Sequence, residues 1–87
     1  MTWNEAKDNY CIGQEIEGVV IHKQPFGDFL KIIDNQDFSV LIRIVDIKDL
    51  TPEIYQSGNY TPIGSKVKGE ILGFIDDNTQ IIISQKG

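Results

Sequence analysis

Cations are scarce in this chain. Eight Lys and Arg stand against thirteen Asp and Glu, a formal net charge of −5. That balance excludes an affinity for nucleic acid resting on phosphate neutralisation alone, because such affinity grows with the number of phosphates that Lys and Arg pair. A polyanion can be held only at a local patch, which screening beyond about 8–10 Å at physiological salt permits. Cysteine is nearly missing as well. Cys11 is alone, so no internal disulfide can form and a reducing cytoplasm is the expected compartment. The single histidine, His22, is not a sequence-local partner for it, and Cys11 reads as a small packed residue rather than a nucleophile. No apolar run approaches the roughly 18 residues that cross a bilayer, so a soluble globular protein with no membrane partner is expected. Met1-Thr2-Trp3-Asn4-Glu5 offers neither the basic start nor the apolar centre of an export signal. The marks of enzyme chemistry are absent too. There is no Cys/His metal spacing, and Gly13, Gly18, Gly27, Gly58, Gly64, Gly69 and Gly73 are scattered rather than gathered in a phosphate-cradling loop. Asp76 and Asp77 invite a metal reading, but turn chemistry explains both. A protein without catalytic residues, metal or cofactor is the expectation.

What is present is β-structure in a chain sized for one core. Eighty-seven residues, 40% of them apolar, make a single domain. Thr2 followed three residues on by Glu5 has capping-box spacing and predicts a short helix over about 3–9. Trp3, Ala6 and Tyr10 are free to lie on the body. From Ile16 apolar residues alternate, predicting a first strand over 15–23, with Gly18 marking a bend or a close backbone approach. A second strand is expected from Phe26 to Ile33, closed by the turn cluster Asp34-Asn35-Gln36-Asp37. The third, Phe38 to about Ile47, is nearly all apolar, with Arg43 alone in its middle. Thr51-Pro52-Glu53 opens one helical turn. Lys66 to Ile75 and Gln80 to Ser84 form a closing hairpin around Asp76-Asp77-Asn78, the former with Val67, Gly69, Ile71, Gly73 and Ile75 on one face. These elements predict an all-β fold, a five-stranded Greek-key OB-fold barrel with a short N-terminal helix and one helical turn between strands three and four. Closure suits so short a chain because it hides strand edges.

The stretch Phe26-Gly27-Asp28-Phe29-Leu30-Lys31 carries the functional hint. Side chains alternate along a strand, so if Leu30 and Ile32 point into the core, Phe29 and Lys31 point out of it. A ring beside a cation on the solvent face is what a platform for stacking unpaired bases requires. The alternative is that Phe29 covers a barrel end or a neighbouring loop, and the same holds for Phe26, whose parity Gly27 leaves open. Arg43 is placed either to contact a ligand or to pair with Asp28, Asp46 or Asp76. Lys23 and Lys31 read as rim residues for phosphate, and His22 as merely exposed.

Several segments in order resemble one family. Ile12-Gly13-Gln14-Glu15-Ile16-Glu17-Gly18-Val19-Val20 resembles its opening, and Phe26-Gly27-Asp28-Phe29-Leu30 its aromatic-Gly-x-Phe-Val element. Val40-Leu41-Ile42-Arg43-Ile44-Val45-Asp46-Ile47 is similar to its third strand, and Ile63-Gly64-Ser65-Lys66-Val67-Lys68-Gly69-Glu70-Ile71 to its Gly-x-x-Val strand. Ile75-Asp76 and Ile81-Ile82-Ile83-Ser84 are similar to its closing Val-Asp and Ile-x-Leu-Ser. The family is the ribosomal-protein-S1-type RNA-binding domain, an OB-fold, here over residues 12–87 with residues 1–11 as a helical extension packed on the barrel. The leading Trp-x-x-Ala-Lys also looks like small bacterial proteins made of this domain alone.

The resemblance implies a site on one barrel face. The family's two stacking aromatics fall on Phe26 and Phe29, with Lys31 beside them. Its third-strand histidine falls on Arg43, its acidic residue on Asp76, and the basic residue opening its last strand on Gln80. Arginine keeps a planar hydrogen-bonding group and adds permanent charge; Gln80 keeps donors and loses charge. Val40 and Val45 stand where Gly and Ser are usual. Two functions are therefore expected to compete. The first is a monomeric domain binding single-stranded RNA weakly, in a ribosome or ribonucleoprotein setting. The second is an acidic OB-fold interaction module that meets a basic protein partner and has lost RNA binding.

Overall fold

Thr2 caps the N-terminal helix as its spacing predicts. Its Oγ1 accepts from the Glu5 amide at 3.2 Å while the Glu5 carboxylate accepts from the Thr2 amide at 2.9 Å. The reciprocal pair starts helix α1, Trp3–Asn9, and these bonds to Thr2 hold the Glu5 carboxyl below the usual range. In the computed structural model, which describes residues 1–86, five strands follow: β1 Glu15–Gln24, β2 Gly27–Lys31, β3 Ser39–Arg43, β4 Lys66–Ile75 and β5 Gln80–Ser84. Gly87, the last residue of the expected barrel segment 12–87, lies outside the described residues. The strands close in the order β1-β2-β3-β5-β4, with β1 paired to both β2 and β4 and only β3–β5 parallel. This is the closed five-stranded barrel expected of an OB-fold, and the helical turn before β4 is helix α2, Pro52–Ser57, capped by Thr51.

Alternation fills the interior. Ile16 and Val20 from β1, Leu30 from β2, Val40 and Ile42 from β3, Val67 and Ile71 from β4, and Ile81 and Ile83 from β5 form the core, with Ala6 of α1 closing one end. Gly18 sits among the inward positions of β1. A Cβ there would lie 3.0 Å from both Leu30 Cβ and Ile32 Cγ2, so the barrel wall approaches too closely for a side chain.

Three expectations fail for identifiable reasons. The third strand stops at Arg43, and Ile44–Asp46 form a 3₁₀ turn that returns Ile47 to the core. The apolar spacing of three from Ile44 to Ile47 belongs to that turn, where residues i and i+3 eclipse. Second, the register shifts between Val20 and His22 and again between Ile71 and Gly73. Each bulge inverts the parity beyond it. His22 therefore turns outward and Lys23 inward, while Phe74 packs on the core and Ile75 is left exposed. Third, Cys11 is exposed rather than packed, in the turn beyond α1, with its amide bonded to Gln14 Oε1.

Candidate nucleic-acid interface

Gly27 makes the aromatic face possible. It pairs with Arg43 across β2–β3, and a Cβ there would lie 2.8 Å from Arg43 Cα and collide with the Ile42 carbonyl oxygen. Only glycine lets β2 start this close to β3, with Phe26 and Phe29 on either side of the contact. Phe29 points outward and is half-buried; Phe26 is 52% exposed. Their ring centroids are 5.9 Å apart and their planes meet at 86°, the edge-to-face packing that ring quadrupoles favour. In such a pair one ring face is covered by the neighbour's edge, so the rings present an angled pair rather than two parallel shelves. Phe29 lies opposite Leu41, and Leu41 opposite Ile82, an apolar row of outward parity across three strands whose middle member, Leu41, is itself covered.

The predicted cations sit around this row but are not free. Arg43, two positions beyond Leu41 on the same face of β3, donates from Nε to Asp46 Oδ2 at 2.7 Å. Its side chain remains 48% exposed against 12% for Asp46. The guanidinium is thus fixed at one nitrogen, and its Nη groups make no hydrogen bond among the described residues. Lys31 shares the outward parity of Phe29 and approaches Asp34 at 3.2 Å, with both side chains open to solvent. An exposed pair of this kind holds weakly and yields to a competing anion.

Lys23 is not a rim residue. Turned inward by the bulge, its ammonium donates to Asp28 Oδ1 at 2.9 Å and to the carbonyls of Tyr60 and Thr61 at 3.0 Å each. It also lies 3.9 Å from the centroid of the Tyr60 ring, a cation–π contact. Asp28 is fully buried and takes a second bond, from Thr61 Oγ1 at 2.6 Å. Tyr55 of α2 stacks on Tyr60 at 5.8 Å and donates to the Pro25 carbonyl at 2.8 Å. Burial foremost, then the charges of Asp28 and Tyr55, raises the Tyr60 phenol above its usual range. This polar knot ties α2 and the segment 58–64 to the β1–β2 turn, which carries Phe26. The sequence held one signal of it. If Phe29 points out, Asp28 points in, and a buried carboxylate needs a cation.

The remaining expected residues lie apart from the rings. Asp76, in the β4–β5 turn, accepts on one oxygen from Trp3 Nε1 at 2.9 Å and from Lys7 Nζ at 2.8 Å. The Lys7 bond first and the Trp3 bond second hold its carboxyl below the usual aspartate range. Gln80 is half-buried opposite Ser39 on β3 and Ile75 on β4. The structure therefore brings Phe26, Phe29 and Arg43 to one end of the face, leaves Lys31 and Gln80 further along it, and gives Asp76 to α1. His22, not among the expected site residues, lies directly opposite Phe29.

No family model and no curated relative matches the sequence. Solved structures do. GSP13 of Bacillus subtilis superposes with a TM-score of 0.68 at 17% identity over 87% of this chain and 55% of its own. The a/eIF2α–aDim2p–rRNA complex of Pyrococcus horikoshii gives 0.68 at 16% identity, over 86% of this chain and 44% of that one. RNase R of Mycoplasma genitalium bound to ribose-methylated single-stranded RNA gives 0.59 at 19% identity, over 84% and 13%. This chain spans about half the length of the first and a smaller share of the others. At these identities what is shared is the fold, the closed five-stranded OB barrel.

Proposed function

We propose that this protein is a non-catalytic, cytoplasmic RNA-binding domain that works as a monomer. It holds a short single-stranded segment across the outer face of β2, β3 and β5, weakly enough to act within a ribosome or ribonucleoprotein. The observation that carries the reading is the solvent-reachable Phe26–Phe29 pair beside a guanidinium tethered only through Nε. Bases stack on the rings, and Arg43 contributes its outer edge to a base or a phosphate. Two of the neighbouring folds, the rRNA complex and the RNase R complex, contain RNA, which supports the same assignment here.

Stacking on an aromatic is worth about 1–3 kcal/mol per base. Two rings and one arginine then give binding in the micromolar range or weaker. In a titration of a labelled single-stranded RNA, Phe29→Ala lowers affinity about ten-fold or more. Arg43→Ala lowers it less, and Lys48→Ala leaves it unchanged. With only Arg43 and Lys31 in reach of phosphate, the logarithmic salt slope is about −1.4. No binding at low salt overturns the reading. A second reading has its own observation: Val45 is 62% exposed in a mostly apolar groove with Ile44, Leu50, Pro52 and Tyr55, which Thr51 and Lys86 also line. Capture of one basic protein, lost in Val45→Asp, together with no RNA binding, would make this an interaction module instead.

A further inference from the structure

Beside Phe29, on the side away from Arg43, the outer face is hollow. A groove of about 270 Å³ is bounded chiefly by Ile21, His22, Phe29, Gln36, Phe38 and Ser39. The β1 bulge creates one wall. Without the register shift between Val20 and His22, the imidazole would face inward; with it, His22 stands opposite Phe29. Ser39 supplies the facing wall through the outward parity of β3.

The polar groups of this groove divide sharply. The Gln36 amide is spent, since Nε2 donates to the carbonyls of Leu30 and Phe38 at 3.1 and 2.9 Å and Oε1 accepts from the Ile32 amide at 2.8 Å. That triple bond pattern makes Gln36 a rigid end wall. In contrast, neither the Ser39 hydroxyl nor either ring nitrogen of His22 makes a hydrogen bond among the described residues. An aromatic wall with two unspent donor–acceptor groups facing one space is the arrangement that binds a flat heterocycle by its face and its edge.

We infer that this groove is a base-selective subsite, where one nucleobase of the bound strand packs against Phe29 and is read at its edge by His22 and Ser39. The inference rests on the RNA-binding reading and adds a preference to it. Stacking alone is indifferent to the base, because every base has a π-face. Edge hydrogen bonds are not, because a base offering the wrong donor or acceptor leaves His22 or Ser39 unpaired. Arg43 lies outside this groove and Gln36 within it is spent, so discrimination at this position of the strand falls on His22 and Ser39.

The test is fluorescence anisotropy at low salt with labelled oligo-A, oligo-U and oligo-C of equal length, on the full chain and on His22→Ala, Ser39→Ala and Phe29→Ala. The unaltered protein prefers one homopolymer. His22→Ala and Ser39→Ala each lower affinity for that one about three- to ten-fold, as loss of a hydrogen bond does, and leave the other two within about two-fold. Phe29→Ala weakens all three. Because neither His22 nor Ser39 carries a structural hydrogen bond from its side chain, both variants keep the melting temperature of the parent. Binding without base preference, or equal losses on all three homopolymers in His22→Ala and Ser39→Ala, overturns the subsite while the Phe29-dependent interface stands. No binding by the unaltered protein removes both.

Discussion

Two aspartates each fasten a helical segment to this barrel, and they do so under opposite conditions. Asp28 is fully buried and is matched by Lys23 and Thr61, whose partners reach α2 through Tyr60 and Tyr55. Asp76 is 71% exposed at its side chain and takes Lys7 and Trp3 of α1 on a single oxygen. At the first, the carboxylate is out of reach of water, so removing its partner strands a charge in the interior, although Lys23 keeps a quarter of its side chain exposed. At the second, solvent competes for every atom, and the attachment of α1 rests instead on apolar contact. Trp3 packs between Phe38 and Phe74, with ring centroids at 6.1 and 5.9 Å, and Ala6 is wholly buried. The same residue type is thus a keystone at the ring-bearing end and a guide at the other.

Removing the buried charge sharpens this contrast most. Asp28→Asn leaves the Lys23 ammonium facing only neutral oxygens and a ring, and is expected to destabilise the domain by about 3 kcal/mol, read from the urea midpoint. Thr61 adopts φ of 36°, a conformation a β-branched residue keeps only under constraint, so the segment 58–64 should loosen together with α2. With the Asp28 charge gone, the Tyr60 phenol titrates closer to its ordinary range, which an ultraviolet pH titration follows. A stability equal to the parent would mean that the knot is decoration. Next in size is Trp3→Ala. A buried large aromatic costs about 3–5 kcal/mol when truncated; Trp3 is only half-buried, so about 2 kcal/mol is expected, with α1 undocked and β1–β5 pairing retained in amide exchange. Global unfolding at that substitution would show instead that α1 belongs to the barrel core.

How much of this could be read from residues depends on parity. Turn residues and glycines place all five strands, and β4 and β5 fall where the alternation puts them. The outward position of Phe29 follows from Leu30 pointing inward. What alternation cannot locate is a bulge, since one extra residue leaves no fixed mark on composition. Two bulges account for Lys23 turning inward and half-buried when it was expected at the rim, for His22 joining the ring face, and for Phe74 exchanging sides with Ile75. The third-strand error has another origin: a nearly continuous apolar run, interrupted at Arg43, fits a buried strand as well as a strand followed by a helical turn. For Asp76, the residue type and its place in the turn were legible. Its partners were not, because Trp3 and Lys7 lie 73 and 69 residues away.

The smallest effect is the one that isolates the exposed aspartate. The bonds from Lys7 and Trp3 favour the ionised carboxylate, so the Asp76 pKa is lower in the folded chain than in the unfolded one. A group shifted in this direction contributes its stability above the unfolded value, about 3.9, and loses it as pH falls through the folded value. The docking of α1 should therefore be unchanged from neutrality down to about pH 4 and weaken only below it. Trp3 is the chain's single tryptophan, so its emission reports the event directly. Asp76→Ala should give, at neutral pH, the emission the parent reaches in acid, with the urea midpoint nearly unmoved because Phe38 and Phe74 still hold the indole. A large midpoint shift would place Asp76 beside Asp28 as a keystone and dissolve the contrast between the two ends.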